Sequence, residues 1–229
     1  MKIIWKKYIY ELTNDFKLKD DDEEKKLANL KFQILFDYGV LAFLDGYYRE
    51  SISSIMASLE RFFEIVIKNI NYEFNINEND FLGTWSLIKN QSERQLGVYF
   101  FVYLLKMKKD PTNIYDTKMS NKIDKNRNKI VNLRNEVIHN GYIPTKEQTK
   151  ELIEKIFDYI TKTIKELHYN KELHYNTEKK FRLRYLDKNS NHSTLEIDTM
   201  IKLTPETQQD YEKALKSLEN IRGHLHKNE

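Results

Sequence analysis

Residues 133–144 read LRNEVIHNGYIP and hold three polar side chains that can act together, Arg134, Asn135 and His139. Asn135 and His139 are four apart, so on a helix they share a face. Arg134 lies beside them, with a side chain long enough to swing toward the same patch. An imidazole titrates near neutrality and can take or give a proton at a reacting hydroxyl. A guanidinium is a permanent cation whose planar fork matches phosphate and the charge that builds on it in a transition state. The Asn135 amide can orient the imidazole or donate to phosphate. A second reading stands beside this one. A His in the last turn of a helix interacts well with the final carbonyls, and Arg134 is then an ordinary surface or ion-pairing residue.

The approach to this cluster is basic. Between positions 118 and 134 stand Lys118, Lys122, Lys125, Arg127, Lys129 and Arg134 against one acid, Asp124, a local excess larger than the net charge of +3 on the whole chain. On a helix over 117–139 the four lysines, spaced four, three and four, make one stripe leading to the motif, and Arg127 shares a face with Arg134. Such a stripe can track the phosphates of a polyanion, and it is equally what a solvated lysine face looks like. Tyr142, just past the motif, joins these as a candidate RNA contact. Glu60 and Arg61 are candidates to line the site from an earlier helix, or are a solvated pair. His224 and His226 suggest either metal ligands or a frayed tail. The expectation is no metal and no cofactor. There is no cysteine, which removes disulfides and thiolate chemistry. Phosphate-cradling glycine loops, HExxH and the nucleophile elbow are absent too.

Helices must position these residues. Six glycines and three prolines in 229 residues are few for the turns of an all-β fold. Ile52, Ile55, Met56, Leu59, Phe63, Val66 and Ile70 recur at helical spacing and predict a core helix of about 20 residues. Before it, Leu27, Leu30, Ile34, Tyr38 and Leu41 predict another, ending at Asp45-Gly46. Residues 81–90 and 92–109 predict two more, the latter stopped by Pro111. Residues 98–105 are apolar on all sides, which suits a helix central in a bundle or covered by a partner chain. The motif helix is expected to stop at Asn140-Gly141. Thr145 with Gln148 is a capping-box pattern for a helix to about 167.

The flanks differ in character. Residues 2–12 read as a short strand or packing arm. KELHYN occurs twice in tandem at 165–176, carrying His168 and His174; the repeat extends a helix or linker, or gives those histidines a role. Phe181, Leu183 and Tyr185 alternate with Arg182 and Arg184, and Leu195, Ile197 and Thr199 with Glu196 and Asp198. Folded about Ser190, the opposite charges share one face and the apolar residues the other, so a β-hairpin is expected. Thr204-Pro205 is expected to start a last helix. The expected organisation is an arm at 1–22, a helical domain at 23–177, and a β-hairpin plus helix appended at 178–229.

Charged residues at 32% and hydrophobic residues at 40% suit helices with solvated faces around a real core. The first residues alternate apolar and charged types too often for a signal peptide. No apolar run approaches the roughly 20 residues that span a bilayer. The expectation is a cytoplasmic protein with no membrane partner.

The motif resembles the signature of the HEPN superfamily, an Arg followed by a polar residue and, after four to six residues, a His. Here these are Arg134, Asn135 and, after four residues, His139. The segment SISSIMASLERFFEIVI resembles the family's earlier core helix, and the resemblance covers about 30 to 170. Residues 1 to about 27 and those beyond 178 have no counterpart in a minimal HEPN domain. The resemblance implies an antiparallel helical bundle and a metal-independent endoribonuclease, with the RNA 2′-OH attacking the adjacent phosphate. It implies His139 as general base or acid, Arg134 on the phosphate, and two protomers pairing their motifs in a homodimer, which residues 98–105 can help to form. It also implies a toxin or antiviral defence role, with a cognate antitoxin or a nucleotidyltransferase as possible partner. Some family toxins carry, two residues after the His, a Tyr that such a transferase modifies; Tyr142 stands three after His139. The resemblance is compatible with two further roles, an RNA- or nucleotide-binding module that does not cleave, and a helical adaptor.

Overall fold

The stripe from Ile52 to Ile70 is the axis of the fold. In the computed structural model, which describes residues 31–120, 128–169 and 199–227, it forms the middle of a helix that we label α2, Tyr48–Glu73. Ile52, Ile55, Leu59 and Ile70 are fully buried. Phe62, Ile65 and Ile67, outside the stripe, are buried as well, because neighbours cover more than one side of this helix.

Those neighbours are α1 (Lys31–Leu44), α4 (Ser92–Met107), α5 (Ile130–His139) and α6 (Lys146–Glu166). The pair α1 and α2 lies closest, and Gly39 permits it. A Cβ on Gly39 would stand 2.5 Å from Ile55 Cγ1 and 3.1 Å from the Ser51 carbonyl oxygen. The reversal between them is the expected Asp45-Gly46 turn. Gly46 takes φ +83°, and the Gly46 and Tyr47 N–H groups donate to the carbonyls of Phe43 and Ala42, a Schellman stop. Asn75 closes α2 in the same way at φ 56°. The short α3 (Glu78–Ile88), capped by the Asn77 side chain, then presents Phe81 and Trp85 to the core.

Helix α4 is neither central nor buried all round. Tyr99 and Tyr103 point inward, while Phe101, Leu104 and Leu105 are exposed. Tyr99 meets Tyr159 of α6 hydroxyl to hydroxyl at 2.7 Å. Lys108, in the left-handed conformation, ends α4 ahead of Pro111. The capping box of Thr145 and Gln148 opens α6 as expected. The first KELHYN copy ends it: His168 takes φ 49°, the His168 and Tyr169 N–H groups donate to Lys165 and Ile164, and Leu167 and Tyr169 are buried. The second copy lies outside the described residues.

The last helix, α7 (Tyr211–Lys227), starts later than Thr204-Pro205 predicts. Asp210 caps it, accepting from the Lys213 N–H at 2.9 Å. Residues 199–201 instead dock on α1. Gln33 donates to the Thr199 hydroxyl and the Ile201 carbonyl, and Asp37 accepts from the Met200 N–H. Met200, Ile201, Leu203, Tyr211, Leu215 and Leu218 join the same core as α1 and α6. The expected N-terminal arm and hairpin lie outside the described residues, apart from Thr199. The described residues are mainly helical and form no strand beyond one isolated antiparallel bridge. No described helix is long and apolar enough to cross a membrane.

Candidate functional site

The helix carrying the motif is shorter than the sequence predicts, and Lys118 and Lys129 do not share a helical face with it. Helix α5 begins at Ile130, not at 117. Before it, Lys118 and Lys129 face each other in an antiparallel bridge, with the Met119 N–H donating to Asn128 and the Ile130 N–H to Thr117. Lys118 and Lys129 therefore pair across two extended segments instead of lining one helical face. Lys129 is paired with Asp116 at 2.7 Å. Lys122, Lys125 and Arg127 lie outside the described residues.

The motif residues themselves converge. Ile130, Leu133 and Val137 bury one side of α5 against α2, which turns Asn135 and His139 outward. The Arg134 side chain folds over that exposed face. Its Nη1 donates to Asn135 Oδ1 at 3.0 Å and lies 3.5 Å from His139 Nε2. A guanidinium has no acceptor, so where this contact is a hydrogen bond, Nε2 accepts it.

A fourth residue completes the cluster from across the bundle. Glu60 of α2 lies 3.4 Å from Arg134 Nη2, with the two side chains 23% and 17% exposed. Of the two residues expected to line the site or to form a solvated pair, Glu60 reaches Arg134, while Arg61 turns to Glu64 at 2.6 Å. Tyr115, packed on Phe63 of α2, feels the charges of the same ion pair. Burial foremost, with Glu60 adding, pushes its hydroxyl well above the ordinary tyrosine range, and Arg134 acts in the opposite sense. A one-dimensional reading has no signal for Tyr115. Glu60 falls next to the core stripe at Leu59, and that adjacency places its side chain at the edge of the core.

The loop after the motif is braced from behind. Asn140 caps α5, and Gly141 takes φ +71°. Tyr142 donates its hydroxyl to Gln148 Oε1 at 3.1 Å, the same oxygen that accepts the Thr145 N–H in the capping box. Tyr142 thus ties the loop to α6, with its ring against the core. Ile143 beside it is exposed. Among the described residues, no group of three or more His, Asp or Glu side chains is arranged to hold a metal ion.

No protein-family model, curated protein or solved structure matches the chain.

Proposed function

We propose that the chain is a HEPN-type endoribonuclease acting on RNA without a metal, with Arg134, Asn135 and His139 as its active site. The observation that carries this reading is the convergence of one guanidinium on both Asn135 and His139 at the exposed end of α5. His139, with Nε2 unprotonated, takes the proton of the ribose 2′-OH as that oxygen attacks the adjacent phosphorus. A second proton donor, or the same imidazole once protonated, gives a proton to the departing 5′-oxygen. Arg134 binds the phosphate and stabilises its extra negative charge in the transition state. Asn135 holds the guanidinium plane. Exposed Phe101, Leu104 and Leu105 on α4 support a second copy of the chain as partner, since clustered exposed apolar side chains mark interaction surfaces. A toxin or defence role comes from the family resemblance alone.

The chemistry predicts its products. RNA cut by this protein carries 2′,3′-cyclic phosphate and 5′-hydroxyl ends, and 2′-O-methyl substitution at the cut site blocks the reaction. Products with 5′-phosphate ends would contradict the mechanism. Tight binding of RNA that is never cut would assign the cluster to a binding module.

A further inference from the structure

We infer that Glu60 is the positioning residue of this site, the group on α2 that holds the Arg134 guanidinium in the plane from which it meets a phosphate. The inference rests on Arg134 being the phosphate-binding group of the proposed nuclease. An arginine side chain has many rotamers, and one acceptor leaves its guanidinium free to swivel about that contact. Two acceptors on two different helices fix it. Asn135 on α5 takes Nη1 at 3.0 Å, and Glu60 on α2 stands 3.4 Å from Nη2.

The remaining donors set the direction of approach. Arg134 Nε is buried and has no hydrogen-bond partner, so the side-on fork of Nε and Nη is closed to an incoming anion. A phosphate meets Arg134 end-on, through the Nη2 hydrogen not turned to Glu60 and the Nη1 hydrogen released from the long contact with His139. Glu60 is well placed to hold still. It follows Leu59, which is fully buried, and precedes Phe63 on the same core helix. It is also not drawn away by its neighbour, because Arg61 is engaged by Glu64, which holds Lys68 at 2.8 Å as well.

The opposite role has the opposite signature. A carboxylate that merely occupied Arg134 until RNA displaced it would weaken RNA binding, and removing it would tighten that binding. Glu60→Ala and Glu60→Gln in the full chain separate the two. A positioning role predicts that Glu60→Ala lowers kcat by about 100-fold with little change in KM, the scale of a misplacement of about 1 Å. Glu60→Gln, which keeps an oxygen acceptor at the same place, recovers most of that loss. Nitrogen-15 NMR of the Arg134 side chain, assigned with Arg134→Lys, reads the hold without any substrate. The two Nη signals should be distinct in wild type and Glu60→Gln and merged in Glu60→Ala. Wild-type kcat in Glu60→Ala, tighter RNA binding in that variant, or Gln no better than Ala would each overturn the inference. Should wild type cleave no RNA, the nuclease reading fails by itself. The NMR comparison then stands alone, and identical Arg134 signals in wild type and Glu60→Ala would overturn the role of Glu60.

Discussion

The chemistry proposed here depends on the shape of Arg134 as much as on its charge. Nη1 reaches Asn135 and His139 while Nη2 faces Glu60. A lysine ammonium is a single point donor and cannot span these positions. Arg134→Lys should therefore lose cleavage nearly as fully as Arg134→Ala, as measured by initial rates on one RNA; a lysine variant with near wild-type rates would show that charge alone suffices. The convergence of Arg134, Asn135 and His139 was legible in the sequence because spacing on a helix and the length of an arginine side chain predict it. Glu60 was legible only as a neighbour of the core stripe. Which of two partners it chose, Arg61 at one residue or Arg134 at 74 residues' distance, depends on how α2 and α5 cross, and that is a tertiary fact.

At the scale of the element, close packing and caps place the motif. Gly39→Ala forces a methyl against Ile55 and the Ser51 carbonyl. It should cost about 1–3 kcal/mol, the usual range for overpacking, read as a lower urea midpoint at unchanged slope. Thr145→Ala breaks the capping box at the start of α6 and should cost about 1 kcal/mol, with a further loosening of the Tyr142 loop beside the site. Stability equal to wild type in either variant would contradict these packing and capping assignments. The strongest periodic stripe, that of α2, the glycine and asparagine stops and the capping box could be read directly, because each rests on residues close in sequence. The start of α5 could not. Met119 and Ile130 are both buried, as a continuous helix from 117 would also have them. Only the pairing of Lys118 with Lys129, eleven residues apart, shows otherwise. Likewise Thr204-Pro205 has the form of a helix start, but Thr199, Met200 and Ile201 dock on Gln33 and Asp37, Gln209 folds back on Lys202, and the helix starts only after Asp210.

Across the whole molecule, tyrosines join the helices to one another. Burial is the main cause that pushes the Tyr99 hydroxyl up to about 12, and it moves Tyr103 of α4, Tyr159 of α6 and Tyr211 of α7 in the same direction. The unfolded chain releases these protons near the ordinary tyrosine value of about 10, while the folded chain keeps them. Above that pH the folded state binds more protons, so stability falls as pH rises. The contribution is fully present below about pH 10 and is lost as pH climbs toward and past the raised values. Thermal unfolding should thus be insensitive to pH from 8 to 9.5 in this respect and drop steeply between about 10 and 12. A flat profile through pH 12 would contradict the buried-tyrosine packing of α4 against α6.

The central claim is that one exposed imidazole, set by one arginine, cuts RNA. The most direct test is incubation of total RNA and tRNA with the purified full chain in excess EDTA, beside His139→Ala shown to be folded by circular dichroism. The account predicts cleavage by wild type alone. Equal cleavage by both proteins would contradict His139 as the catalytic residue, and cleavage by neither, with both folded, would contradict the nuclease reading for these RNAs.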